Sequence, residues 1–133
     1  MSPAGDDAQL EMAADFARRF AEYWSAPTPE RLDTVLAERV RLVAPMTPTT
    51  DTLADGKRTF ATLLEQIPDL TAEVHRWGAS ADGVLIEFTL SGTAGESQVS
   101  WTAVDRFVLG DDGLATERVS YFDPASIQSS SPT

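Results

Sequence analysis

The chain contains no cysteine, which excludes disulfides, thiolate nucleophiles and cysteine-ligated zinc. It has one histidine, His75, so one chain cannot build a multi-histidine metal centre. Basic residues are scarce: 10 Lys and Arg against 21 Asp and Glu, a net charge of −11. That balance argues against a footprint for nucleic-acid phosphates or an anionic membrane surface, and the acidic excess is better explained by solubility. No apolar run approaches the roughly 20 residues needed to span a bilayer. The opening MSPAGDDAQLEM lacks the basic and apolar regions of a signal peptide. A cofactor-free, metal-free cytoplasmic protein is the expectation. Its 133 residues, 42% of them hydrophobic, suffice for one domain with a real core. That domain is assigned to residues 8–127, with residues 1–7 and 128–133 as flexible tails; the end of the chain, SIQSSSPT from Ser126 on, is low in complexity and expected to be disordered.

What is present divides into a helical first half and a strand-rich second half. From Ala8 to Ser25, Met12, Phe16, Phe20 and Tyr23/Trp24 place a large apolar group on one helix face every turn or so. Core packing is the simpler account of that stripe, and a helix roofing a cavity would also produce it. Pro27 ends the helix, and Thr28-Pro29 starts a second with Leu32, Val35 and Leu36 buried. Val40–Ala44 reads as a short strand ended by Pro45, and MTPTTDTLADG as a loop over a pocket mouth. Lys57–Gln66 is a third helix, with Phe60, Leu63, Leu64 and Ile67 on one side.

Period-two patterning then takes over. Leu70–Ser80 is a strand, Asp82-Gly83 a tight turn, and Val84–Thr93 a strand with Val84, Ile86, Phe88 and Leu90 on one face. The strongest hairpin signal is SQVSWTAVDRFVLGDDGLATERVSYFDP, Ser97 to Pro124, turning at Gly110-Asp111-Asp112-Gly113. Its first strand alternates Val99, Trp101, Ala103, Asp105, Phe107 and Leu109, so one carboxylate stands in an otherwise apolar row. If that row faces a core, Asp105 is desolvated and favours the neutral acid, which can donate a hydrogen bond to a developing enolate. The alternative is a structural ion pair with Arg118 on the neighbouring strand. Arg118 and Ser120 share a face with Phe122, where Arg118 could anchor a carbonyl or carboxylate or form a rim salt bridge. His75 is a second candidate for proton transfer, although a lone strand histidine is more often a surface residue. Three helices followed by a four-stranded antiparallel meander and one early strand define an α+β fold. In it a strongly bent, mainly antiparallel sheet curls around the helices and leaves an apolar pocket. Gly92 and Gly95 would help the bend.

The strings Leu42-Val43-Ala44-Pro45, Gly56, Val104-Asp105-Arg106-Phe107, Asp111-Asp112-Gly113 and Tyr121-Phe122-Asp123-Pro124 occur in that order of elements. Over about Leu10 to Ile127 the chain thereby resembles the NTF2-like superfamily, in its SnoaL-like and ketosteroid-isomerase-like branch. The resemblance implies a cone-shaped domain, three N-terminal helices packed on the bent sheet, and a homodimer formed through the outer sheet face. By similarity to ketosteroid isomerases, the protonated-acid position of the oxyanion hole falls on Asp105; the partner-tyrosine position falls on Phe20 and the base position on Ala44. The Asp-Arg-Asp positions of limonene-epoxide hydrolases fall on Leu90, Phe88 and Ser120. The resemblance therefore implies a SnoaL-like, polyketide-cyclase-like enzyme performing isomerisation, cyclisation or dehydration on a small hydrophobic carbonyl compound. A non-catalytic small-molecule binding protein of the same fold is the alternative, since the superfamily hosts both. Asp105 and His75 are the catalytic candidates. Phe20, Tyr23, Trp24, Met46, Phe60, Phe88, Trp101, Phe107, Arg118 and Phe122 are the expected substrate lining.

Overall fold

Phe16, Phe20, Tyr23 and Trp24 fall on the buried side of a helix running from Pro3 to Ser25 (α1), each no more than 7% exposed. Each such burial stabilises the fold by about 1.5–3 kcal/mol. The computed structural model describes the backbone of residues 3–130 and the side chains of residues 7–129. Residues 3–7, expected to be frayed, are helical: a proline at the first turn and Asp6 and Asp7 close behind it suit a helix N-terminus. Residues 1, 2 and 131–133 of the expected flexible tails lie outside the described residues.

Two α-helices precede the meander, not three. Thr28 does cap a turn, accepting from the Arg31 amide at 3.2 Å, but Glu30–Thr34 makes only a 3₁₀ turn. Leu32, Val35 and Leu36 are buried as expected, yet the chain is pulled at once into strand β1, Leu36–Ala44. The Val35 carbonyl accepts from the Ala115 amide at 2.9 Å, and β-branched Thr34 and Val35 favour that extended exit over another helical turn. The expected loop contains a further strand, β2, Thr47–Thr50. It lies at the edge of the sheet, the one strand position that tolerates a proline such as Pro48. Helix α2 then begins at Leu53, four residues before Lys57, because the Thr52 hydroxyl caps it by accepting from the Asp55 amide at 3.1 Å.

The strands β3 (Thr71–Ser80), β4 (Gly83–Ala94), β5 (Ser97–Leu109) and β6 (Ala115–Tyr121) form the expected meander. The full curved sheet runs β2-β1-β6-β5-β4-β3, antiparallel throughout except for the parallel pair β1 and β6. A seventh strand, β7 (Gln128–Ser130), corrects the expectation of a disordered tail over those residues. The β6 pairing covers only the Val104–Leu109 half of β5, and β7 takes the vacant Gln98–Ser100 edge.

Pairing between β4 and β5 is unbroken from Gly83↔Val108 to Ala94↔Ser97. Cross-strand partners share a face, so Val84, Ile86, Phe88 and Leu90 stand with Phe107, Asp105, Ala103 and Trp101 on the inner side. Gly83 is required here, though not for turn conformation. The turn is Ala81-Asp82, and a Cβ on Gly83 would fall 1.8 Å from the Phe107 carbonyl oxygen. At the β5–β6 turn Gly113 does take positive φ, 81°. Arg19 of α1 clamps that turn, donating to the Gly113 carbonyl at 2.7 Å and the Thr34 carbonyl at 2.9 Å.

Candidate functional site

Asp105 is only 4% exposed, the one buried charged residue among the described residues. The register places Ile86 on one side of it and Ser120 on the other, while Ala103 and Phe107 flank it along β5. Arg118 pairs with Phe107 and neighbours Leu42 of β1, so Arg118 and Ser120 face inward as the alternation predicts. Partly buried Phe122 packs against the same core, its ring 6.3 Å from that of Trp101.

The expected rim salt bridge is absent. Among the described residues no carboxylate comes within 4.0 Å of the Arg118 guanidinium, and adjacent Glu117 pairs with Arg106 at 3.1 Å. Asp105 Oδ1 and Arg118 Nε are both buried and have no hydrogen-bond partner among the described residues. Burial pushes the Asp105 carboxyl above its ordinary range; the Arg118 charge and a hydrogen bond from Ser120 oppose this, and burial prevails. The inner face therefore carries a carboxyl whose ionisation is disfavoured by burial, near a cation with no carboxylate bound to it among the described residues. That pairing can present two donors to one acceptor group.

Among the remaining candidates, six belong to a single aromatic network. Phe107 lies 4.6 Å from Phe16 and 5.6 Å from Phe20, and Phe20 lies 5.0 Å from Phe88. Trp24 touches Phe20, Phe60 and Phe88 at 5.6–6.3 Å. Tyr23 is 2% exposed and donates its hydroxyl to the Thr28 carbonyl at 2.7 Å; burial holds that phenol well above its usual pKa. These rings pack against one another beneath α1. Two surface recesses lie elsewhere. A polar groove of about 370 Å³ is lined by Asp69, Thr93, Gln98 and Gln128, among others, and a shallower one of about 280 Å³ by Arg76, Leu85, Glu87 and Val104 of the outer face, among others. Neither includes Asp105. Phe60, Trp101 and Phe122 remain partly exposed at the border of the core, whereas Met46 is 62% exposed and stands apart from the site.

His75 is not brought to Asp105. A bulge between Val74 and Arg76 inserts His75 as an extra residue, so that His75 and Arg76 both turn outward. His75 Nε2 lies 2.6 Å from the Thr89 hydroxyl, which continues to Thr102 at 2.7 Å, and Arg76 pairs with Glu87 at 3.1 Å. Period-two alternation cannot reveal an inserted residue, so the sequence alone leaves the facing of His75 open. Asp123, in the closing Tyr121–Pro124 string, caps the turn Pro124–Ser126 by accepting from the Ala125 amide at 2.9 Å. Ser120, opposite Asp105, is the inner-face residue missing from the expected set; counting back from the Gly110–Gly113 turn could have located it.

Residues 17–118 match the family described as the SnoaL-like domain, and the chain belongs to that family. A search of curated proteins finds no sequence match. Solved structures share the fold at low identity. An LEH-like epoxide hydrolase of M. tuberculosis is 18% identical, with a TM-score of 0.73 over 89% of this chain and 87% of that one. A Jannaschia sp. CCS1 protein assigned as a SnoaL-like polyketide cyclase is 17% identical, with a TM-score of 0.74 over 92% and 90%. A Xanthomonas campestris protein of unknown function with a cystatin-like fold is 18% identical, with a TM-score of 0.75 over 86% and 93%.

Proposed function

We propose that this SnoaL-like domain binds a small hydrophobic carbonyl compound against the inner face of β5 and β6 and promotes proton-transfer chemistry on it, without a cofactor. The observation that carries the reading is the buried Asp105, whose Oδ1 has no partner among the described residues. When protonated, a carboxyl buried among Ile86, Ala103 and Phe107 can donate to a carbonyl oxygen, and that bond strengthens as the α-proton passes to solvent water and the oxygen gains charge on the way to an enolate. Ligand would approach past Phe60, Trp101 and Phe122, the inner-face rings left partly exposed. The sheet, in this reading, curls into a cone whose mouth they border.

A non-catalytic binding protein is the second reading, and a specific observation favours it. Ala44 and Phe20 occupy the positions where a base and a second donor would stand, and His75 faces away. Acetophenone separates the two readings. A catalyst accelerates exchange of its methyl protons into deuterated water, and Asp105→Asn slows that exchange while the ligand still binds. Saturable binding without exchange supports the binding module. No binding of acetophenone or its ring-substituted relatives would overturn both.

The outer sheet face, with Val104, Val108 and Val119 half-buried and Tyr121 54% exposed, is proposed as the surface of a homodimer. A location in the cytoplasm fits this reading; among the described residues no helix is long and apolar enough to cross a membrane.

A further inference from the structure

Arg118 differs from most arginines of this chain. Arg18, Arg19, Arg41, Arg58, Arg76 and Arg106 each have a carboxylate within 4.0 Å, whereas Arg118, more sheltered than most of them, has none among the described residues. Acidic residues outnumber basic ones 21 to 10, so the lack of a partner is not for want of carboxylates. Register explains it locally. Glu117 points outward to Arg106, and the inward positions nearest Arg118 are Phe107 and Leu42, which are apolar. Asp105 is the closest inward acid in the register, set diagonally across β5 and β6, where backbone separations are roughly 7–8 Å. It does not close a salt bridge with Arg118.

The donor inventory is equally selective. Arg118 Nε can only donate. Asp105, whose burial disfavours the ionised form, offers an O–H when protonated, and the Ser120 hydroxyl lies on the intervening inward position. A ligand group that itself donates, such as an amine, would leave the Arg118 N–H opposed. A group with two acceptor oxygens and one negative charge would satisfy both orphaned atoms and neutralise the cation, in the planar geometry that guanidinium matches.

We propose that Arg118 and Asp105 together hold the carboxylate end of a small hydrophobic ligand, with Trp101, Phe107 and Phe122 beside its apolar body. This rests on the reading of the inner face as a ligand site and narrows it to acidic ligands. A bound carboxylate sets a second negative group near Asp105, so binding requires that carboxyl to keep its proton. The chain's net charge of −11 opposes long-range attraction of an anion, so the selectivity is short-range and added salt does not abolish it.

The test compares benzoate, benzamide and acetophenone by NMR titration of the full chain. Benzoate is expected to bind about 10- to 100-fold more tightly than isosteric benzamide, the range of a hydrogen bond to a charged group. Arg118→Gln should bring the two affinities together without weakening benzamide; Arg118→Lys, which keeps the charge, should retain part of the preference. Equal affinities for benzoate and benzamide in the wild type would overturn the assignment, as would a preference that survives Arg118→Gln. Acetophenone binding with no benzoate advantage defeats this proposal alone and leaves the carbonyl-site reading standing. Failure of all three ligands defeats both. If a crystal grown with benzoate shows water alone bridging Asp105 and Arg118, the proposal also falls.

Discussion

Replacing Asp105 by Asn should stabilise the protein at neutral pH. In the fold the carboxyl is 4% exposed, with one oxygen unpartnered, and burial raises its pKa despite the Arg118 charge and the Ser120 hydrogen bond. A raised carboxyl pKa has a definite sign in the linkage between folding and pH. Below the unfolded-state value, about 3.9, both states are protonated and Asp105 imposes no ionisation penalty. As pH climbs from there through the folded-state value, the unfolded chain ionises first, and stability falls. Above the folded value the loss is constant. Each unit of separation is worth ~1.4 kcal/mol. For a chain of this length the unfolding entropy is about 0.28 kcal/mol/K, so each unit corresponds to ~5 °C in melting temperature. Asparagine matches the carboxyl in shape and cannot ionise. Melting temperatures of the two proteins, measured by circular dichroism from pH 3.5 to 8, should diverge in favour of Asp105→Asn with rising pH and converge near pH 4. The difference between the two proteins cancels other titrations, including that of Asp69, whose carboxylate is held below its usual range by the Thr93 amide and hydroxyl. A wild type that is the more stable protein at pH 7, with the gap closing in acid, would mean Asp105 is ionised and paired, and the reasoning about the inner face would fail.

His75→Ala should leave ligand affinity and any proton exchange unchanged, because the ring bonds Thr89 on the far side of the sheet; a loss of exchange would return His75 to the candidate set. Gly83→Ala should cost about 3 kcal/mol or more in urea unfolding, since its Cβ cannot coexist with the Phe107 carbonyl oxygen, and a near-neutral result would contradict the β4–β5 register. Phe107→Ala should cost about 3–5 kcal/mol by removing a ring shared by Phe16 and Phe20; a loss under 1 kcal/mol would show that the core collapses or was never full. Light scattering at micromolar concentration should report a dimer that Val104→Arg converts to monomers, and a monomeric wild type would reject the outer-face association.

Where one residue follows another in strict alternation, the chain was legible. The row from Val99 to Leu109 exposed Asp105 as an outlier, and the β4 face of Val84, Ile86, Phe88 and Leu90 matches the buried set. The first helix declared itself through its aromatic stripe, and core packing, the simpler account of it, holds. Local pattern failed where tertiary partners decide. Thr47–Thr50 carries a proline and no alternation, and it is a strand only because β1 has a free edge. Gln128–Ser130 looks like polar tail and is ordered by the unpaired end of β5. The bulge at His75 shifts phase without a glycine or proline to mark it. Whether the aromatic residues line a hollow or fill it depends on ring-to-ring packing, which spacing cannot specify. Likewise, Arg118 could be read as inward-facing, but its lack of a carboxylate follows only once Glu117 is seen to turn to Arg106.

The parallel pairing of β1 with β6 carries a cost in the order of assembly. Leu36 meets Ala115, and Leu42 meets Arg118, so the first long strand finds its permanent neighbour only after the meander has been made. Such distant closure slows folding relative to a chain of local hairpins. During synthesis β1 has only β2 beside it until the last strands emerge, and Leu42 reaches its place beside the cation of the inner face only in that final closing step.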